Sequence, residues 1–252
     1  MLKSAGYQHT LIVFGIILGL IGAAAALAMR MPNESDALPP ALITAGAKDA
    51  EPRRMLRRPV FWLLFGMMTM MSTGGLMIIS QFAAFSRDFG VANVMVFGLA
   101  ALPLALTVDR ITNGLTRPFF GWLSDRIGRE NTMAVAFLME AAAVTVMVAF
   151  RNDALVFVAL SAVVFFGWGE IFSLFPSTLT DTFGTKYATT NYGFLYMAQG
   201  VGSVLGGPIA AWLHDATGSW LSVFAIIIAM DALTGVLALA ALKPMRCAYL
   251  SG

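Results

Sequence analysis

The sequence predicts an all-α polytopic membrane helix bundle of about seven transmembrane helices, the last six arranged as two inverted three-helix repeats. Three observations predict it. Of the 252 residues, 58% are hydrophobic and only 12% are charged, about half the charge fraction of an average soluble domain; the mean hydropathy is +0.78. No soluble core buries that much apolar surface, so much of it must face lipid. The chain also contains a series of apolar runs of roughly 20 residues or more, the length that crosses a bilayer. Finally, a pattern rich in Pro, Trp, Asp and Gly occurs twice at the ends of two of these runs.

The runs fall at approximately 10–29, 60–85, 93–123, 132–150, 154–178, 190–213 and 219–242. Residues 1–29 read as a single transmembrane helix. Residues 30–58 form the only long connection, a polar linker holding Pro32, Pro39, Pro40 and Pro52 and closing on Arg53-Arg54-Met-Leu-Arg57-Arg58-Pro59. Residues 59–252 read as a six-helix unit. The third run is longer than a span requires, so its outer end is expected to protrude or tilt.

The basic residues set an orientation. With the linker in the cytoplasm and the spans alternating, the cytoplasmic side holds Arg30, Lys48, Arg53, Arg54, Arg57, Arg58, Arg126, Arg129, Lys186, Lys243 and Arg246. The outer side holds Lys3, Arg87 and Arg151, which leaves the N-terminus outside and the C-terminus in the cytoplasm. The expected location is the plasma (inner) membrane. The lone cysteine, Cys247, excludes an internal disulfide framework, and no cleavable leader is evident.

The repeat aligns Pro118, Trp122, Leu123, Asp125 and Gly128 with Pro208, Trp212, Leu213, Asp215 and Gly218 at one constant offset. An odd number of spans separates the copies, so they end on opposite sides of the membrane. The second copy lacks the basic residues of the first, as the positive-inside rule favours. Two three-helix units of inverted topology are a common architecture of secondary transporters.

Within this frame Arg117 stands out. It lies some eight residues inside an apolar helix, roughly 12 Å below the charged end at ~1.5 Å per residue, at a depth where an ionised side chain by default marks function. Arg110, Asn113/Gly114, Arg117 and Gly121 share one helix face. A guanidinium holds a carboxylate through two parallel hydrogen bonds; the alternative is a structural ion pair with Glu170 or Asp109. Arg110 is either a second anion contact or a snorkelling residue near the interface. Glu170 either carries a proton or pairs with Arg117, and pairing is the favoured reading. Glu140 and Asp231 are expected in structural pairs or loop contacts. Trp168, Phe172, Tyr192 and Tyr196 flank the polar groups as a wall or as packing. The methionines from Met67 to Met77 are lipid-facing or packing, His9 and His214 incidental, and the Gly200–Gly207 stretch allows close helix approach. No nucleophile–base pair, phosphate loop or histidine–carboxylate metal cluster is present, so no catalytic residue, metal or cofactor is expected, nor a nucleic-acid partner.

Gly121-Trp-Leu-Ser-Asp125-Arg126-Ile-Gly128-Arg129-Glu130 resembles the signature between helices 2 and 3, and its copy between helices 8 and 9, of the major facilitator superfamily. Asn113-Gly-Leu-Thr-Arg-Pro-Phe-Phe-Gly-Trp, Gly169-Glu-Ile-Phe-Ser-Leu-Phe-Pro-Ser and Thr189-Thr-Asn-Tyr-Gly-Phe-Leu-Tyr-Met-Ala-Gln-Gly resemble its oxalate/formate antiporter branch. The resemblance implies helix 6 (residues 1–29) followed by the C-terminal half of the family's fold. It implies secondary transport of a small organic anion by alternating access, with a missing or separately encoded N-terminal half as partner. Arg117 would bind the substrate carboxylate, with Asn113, Trp168, Glu170, Tyr196 and Arg110 around it. Gly121, Asp125, Arg126, Gly128 and Arg129 would form the inner gate. Gln199 stands where the family commonly has a lysine, which puts dianionic oxalate in doubt. The rival readings are a truncated half-transporter that moves nothing and, less favoured, a membrane-embedded enzyme.

Overall fold

The computed structural model describes residues 2–28 and 49–251, with side chains from Gly6 onward in the first stretch. Arg30, Lys48 and the prolines Pro32, Pro39 and Pro40 of the expected linker lie outside the described residues. The chain divides into two units, Met1–Ile43 and Thr44–Gly252. The first contributes helix α1 (Leu2–Ala28), which has a non-helical break at Gly6 (φ 75°, ψ 165°). From Gly6 to Ala28 it is long and apolar enough to cross a membrane.

The second unit opens with the short α2 (Pro52–Met55) and continues into α3 (Pro59–Asp88). Both helices start on proline, whose missing N–H costs nothing at a first helical position. A two-residue antiparallel pair, β1 (Met95–Val96) and β2 (Leu99–Ala100), follows. Then come α4 (Ala101–Ile127), α5 (Arg129–Ala149), α6 (Ala154–Trp168), α7 (Ile171–Phe183), α8 (Ala188–Thr217), α9 (Trp220–Leu237), a π turn (Ala238–Leu242) and α10 (Lys243–Ser251). Among the described residues, six segments are long and apolar enough to span a bilayer. Helix α4 has the length, 27 residues, but carries Asp109, Arg110 and Arg117 in its interior. The chain is an all-α polytopic membrane bundle.

Three boundaries differ from the expectation. The run at 93–123 is not one helix: its first part is the hairpin, turned at Phe97 (φ 50°) and Gly98 (φ 81°). Two successive positive φ values make the tight turn whose twist matches paired strands. The run at 154–178 is two helices, α6 and α7, broken at Gly169–Glu170. The last run changes register at the π turn, where the Lys243 N–H reaches back to the Ala238 carbonyl. Pro244 follows directly; a proline cannot donate and crowds the carbonyl four residues back, and the wider turn accommodates it.

The two copies of the repeat end α4 and α8 in the same manner. Gly128 (φ 90°) and Gly218 (φ 66°) terminate the helices, each at a positive φ that a side chain disfavours. Pro118 and Pro208 lie inside the same two helices.

Helix α3 packs mainly against α8 and α9. A Cβ on Gly202 would fall 2.6 Å from that of Ser72, and one on Gly206 3.0 Å from that of Leu76 and from the Thr73 carbonyl oxygen. The glycine-rich stretch therefore does let two backbones meet. Met67, Met68, Met71 and Met77 are buried core residues. Phe82, Phe85, Phe157, Phe165 and Phe224 form one aromatic cluster, with ring centroids 5.1–6.1 Å apart.

Contacts define the two ends of the second unit. At one end, Ala50 donates to the Phe183 carbonyl (2.9 Å) and Asn191 to that of Ala50 (3.0 Å). Arg129 pairs with Asp125 (2.8 Å) and Asp181 (2.9 Å), and Arg246 pairs with Glu130 and donates to Thr182 (2.7 Å). At the other end, Asp88 accepts from the Trp220 indole (2.6 Å) and lies 3.7 Å from His214, which stacks on Trp220. His214 is therefore a packing residue rather than an incidental one. Arg53, Arg54, Arg57, Arg58, Arg126, Arg129, Lys186, Lys243 and Arg246 all belong to the first end, and Arg87 and Arg151 to the second.

This arrangement has a direct consequence for labelling. With Cys247 replaced by serine, single cysteines at Arg54, Arg126 and Lys186 are expected to respond alike to a membrane-impermeant thiol reagent in intact cells. Cysteines at Asn93 and Asn152 are expected to respond in the opposite way. Mixed behaviour within either set would contradict the shared ends.

Candidate functional site

The site grows out of the break in the α6–α7 span. Where a helix stops inside an apolar bundle, its last carbonyls need donors from elsewhere. Here the Gly169 N–H still reaches the Phe165 carbonyl (3.2 Å), and α4 adds further donors. Asn113 Nδ2 donates to the Phe165 carbonyl (3.3 Å), and Thr116 Oγ1 donates to that of Phe166 (2.6 Å). Gly169 leaves the room: a Cβ there would lie 2.6 Å from Asn113 Nδ2. Asn113 is thus engaged in holding the break, and Thr116, which the sequence reading passed over, shares that role. The signal for it is a threonine one position before Arg117, about 100° around the helix from the arginine.

With α4 held in this way, Arg110, Gly114 and Arg117 are exposed on its other side. The Arg117 guanidinium lies over the Phe172 ring, 5.1 Å from its centroid, an attractive arrangement of a cation on an aromatic face. Phe172 in turn contacts Trp168 (5.9 Å) and Tyr196 (6.2 Å), and Tyr196 contacts Tyr192 (5.6 Å). Gln199 follows Tyr196 on the same face of α8, partly buried, and its Oε1 has no hydrogen-bond partner among the described residues. A single aromatic row from α6, α7 and α8 therefore runs past Arg117.

Trp168 is the anchor of that row. Its Nε1 donates to the Met71 carbonyl of α3 (3.0 Å). The ring fits over Gly75, where a Cβ would sit 1.9 Å from Nε1. The indole N–H is thus already committed to the backbone. Arg110 and Asn113 border a cavity of about 30 Å³ with Asp109, Phe165 and Trp168. Asp109 is buried and faces Ser161 of α6, whereas Arg110, its neighbour in sequence, is exposed.

The expected ion pair between Arg117 and Glu170 does not form. Glu170 is fully buried, and its side chain makes no hydrogen bond or ion pair among the described residues. It sits at the break two residues before Phe172, about 200° around a helix, and so faces away from Arg117. It is instead within electrostatic reach of Glu140, as is Asp231. These three carboxylates lie where α3, α5, α6 and α9 meet: Glu140 lies against Gly167, and Asp231 against Gly74. Glu140 and Asp231 make no hydrogen bond or ion pair among the described residues.

Of the residues expected at the inner gate, Asp125 and Arg129 pair directly. Arg129 reaches back to Asp125 and Ser124 and across to Asp181. An acidic residue in the last turn of a helix is disfavoured by the helix dipole, and here Arg129 offsets it. Arg126 lies over the Trp122 ring at 4.2 Å. Gly128 makes the turn, and Gly121 lies on the Arg117 row of α4.

Together these features define a polytopic membrane protein with a cation and an aromatic row on one open face of a six-helix unit. Residues 104–246 match the Major Facilitator Superfamily, and the chain belongs to that family. It is 33% identical over 228 residues to the oxalate:formate antiporter of Oxalobacter formigenes, covering 90% of this chain and 52% of that protein. It is 27% identical over 210 residues to the uncharacterized MFS-type transporter YhjX of Escherichia coli (strain K12), covering 81% and 49%. It is also 25% identical over 172 residues to monocarboxylate transporter 12-B of Danio rerio, covering 67% and 35%. These relatives are transporters rather than enzymes. The chain spans about half the length of the two bacterial relatives it matches.

The fit of Trp168 into α3 can be tested by stability. Gly75→Ala is expected to lower the unfolding free energy by about 1–3 kcal/mol, the usual cost of overpacking a filled core. Thermal unfolding in detergent, followed by circular dichroism, reads the loss. Trp168→Phe in the same chain should recover part of it.

Proposed function

We propose that this chain supplies the C-terminal half, residues 59–252, of a secondary transporter for small carboxylates that works by alternating access. The observation that carries the reading is Arg117. It is a permanent cation on a membrane-embedded helix, it has no carboxylate partner among the described residues, and it rests on Phe172 at the end of an aromatic row. The guanidinium binds a carboxylate, and Trp168, Phe172, Tyr196 and Tyr192 form the wall beside it. Gln199 supplies an amide. Arg110, farther out on the same face, contacts the anion on entry. Asn113 acts indirectly, by holding the break that positions the wall.

The exposed face of α4 and α8 is completed by an N-terminal half-bundle, missing or separately encoded. Residues 1–29 correspond to helix 6 and 30–58 to the connection between the halves. The end bearing Arg53–Arg58 and Arg126–Arg129 is cytoplasmic, the N-terminus outside, and the membrane is the plasma membrane. The similarity to an oxalate:formate antiporter and to a monocarboxylate transporter supports the substrate class. One cation at the wall, with Gln199 in place of a second, favours monocarboxylates over oxalate, because a buried charge left unpaired costs several kcal/mol.

A proton-coupled cycle is a second reading, favoured by Glu140, Glu170 and Asp231 being buried together without a cation among the described residues. An imposed pH gradient that drives net uptake of a labelled monocarboxylate would support it over exchange.

In the complete transporter, Arg117→Ala is expected to weaken carboxylate binding about 10- to 150-fold, the loss of one charge-assisted contact at ~1.5–3 kcal/mol. Arg117→Lys should recover little, because lysine lacks the planar fork. Gln199→Lys should shift preference towards oxalate in exchange of labelled substrates. A protein that already prefers oxalate, and is unchanged by Gln199→Lys, would overturn the charge argument and move attention to Arg110.

A further inference from the structure

We propose that the α2–α3 junction is a binding site for an anionic phospholipid, with Arg53, Arg54 and Arg57 holding the headgroup phosphate and an apolar groove beside them holding part of an acyl chain. The site is independent of the carboxylate site and does not rest on the transport reading.

The groove lies between α3 and α8. It has a volume of about 300 Å³ and is lined by Leu56, Phe61, Trp62, Phe65, Phe194 and Met197, all apolar but for one indole N–H. That N–H is committed, since Trp62 Nε1 donates to the Leu56 carbonyl (2.8 Å). The bond pins a half-exposed indole at the mouth of the groove, with its ring 5.4 Å from Phe61 and 5.6 Å from Phe65. A tryptophan held with one end wet and one end apolar is the side chain that favours the headgroup level of a bilayer.

Arg57 directly follows Leu56, which lines the groove, and Arg53 and Arg54 precede it on the same turn. Helix α2 is fixed in place by Met55, which is fully buried, and by the ties of Asp49 and Ala50 to the α7–α8 turn, where Lys186 N–H donates to Asp49 (3.1 Å). Because Met55 points inward, Arg53, Arg54 and Arg57 point out and are exposed. None of them pairs with a carboxylate among the described residues, and their acidic neighbour Glu51 makes no ion pair either. Arg58 differs, because its guanidinium lies over the Tyr249 ring of α10 at 5.4 Å. Three unpaired guanidinium groups on a rigid turn, at the rim of an apolar groove, match an amphiphile with a phosphate at its head. Arginine binds phosphate oxygens in pairs, and each basic residue at an anionic membrane surface contributes roughly a fivefold gain in binding.

The test is native mass spectrometry of this chain in mild detergent, titrated with phosphatidylglycerol, phosphatidylcholine or glycerol 3-phosphate. Phosphatidylglycerol is expected to bind at least tenfold more tightly than phosphatidylcholine. The triple change Arg53→Ala, Arg54→Ala, Arg57→Ala should abolish the preference, bringing phosphatidylglycerol down at least tenfold to the level of phosphatidylcholine. Removing basic residues at the other end, Arg87→Ala with Arg151→Ala, should change nothing. Trp62→Ala should weaken both lipids. Arg57→Gln alone, expected to cost about fivefold, keeps the proposal testable should the triple variant fail to fold. Equal binding of the two lipids would overturn the proposal, as would an unaffected triple variant. Glycerol 3-phosphate binding as tightly as the lipid would also overturn it, leaving a bare anion patch. Loss of the phosphatidylglycerol preference when a second half-bundle is joined to the chain would assign the groove to that partner instead.

Discussion

The bundle depends on how it satisfies one broken helix. A chain that stops and restarts inside an apolar interior leaves carbonyls that water cannot reach, and each unsatisfied group costs several kcal/mol in such a medium. The break at Gly169–Glu170 is held because Thr116 reaches across from α4 to the Phe166 carbonyl, while Asn113 adds a second donor to that of Phe165, which already accepts from the Gly169 N–H. That bridge sets how α4 lies against α6. Once it is in place, the flank of α4 turned away from α6 is left exposed, and Arg110, Gly114 and Arg117 lie along it. The placement of the intramembrane cation is therefore a consequence of backbone hydrogen bonding as much as of its own chemistry.

Helix α3 is the second fixed point. Its residues Ser72–Met77 receive α8 through Gly202 and Gly206 on one side, and the Trp168 indole over Gly75 on another. Packing through missing side chains lets three elements approach one helix within a few residues. The aromatic row beside Arg117 inherits its rigidity from there, because Trp168 is tied to α3 by both shape and a hydrogen bond. At the basic end, Arg129 and Arg246 join α4, α5, α7 and α10 through carboxylates, so the helix ends are held while the exposed face of α4 and α8 stays free.

Much of this was legible in the sequence because lipid leaves few options. Long apolar runs become helices, and the matched Pro, Trp, Asp and Gly residues foretold that α4 and α8 end alike. The row Arg110, Gly114 and Arg117 was readable from spacing alone. The hairpin at Met95–Ala100 was not, since an apolar run looks the same whether it coils or folds back, and only Phe97-Gly98 marks the turn. The direction of Glu170 was equally hidden: it depends on a break whose partners lie some fifty positions away, at Asn113 and Thr116. Arg58 over Tyr249 and Arg246 against Glu130 are likewise pairings between distant parts of the chain, for which no local pattern exists.

The π turn between α9 and α10 bears on how the end of the bundle is phased. A π turn holds more residues per revolution than an α turn, so it works as a slipped tooth between two gears. Without it, the face that α9 presents to α5 would dictate, residue by residue, the face that α10 presents to α7. With it, the two faces are set independently: Asp231 stays turned to the interior while Arg246, one short helix later, comes round to meet Glu130 and Thr182.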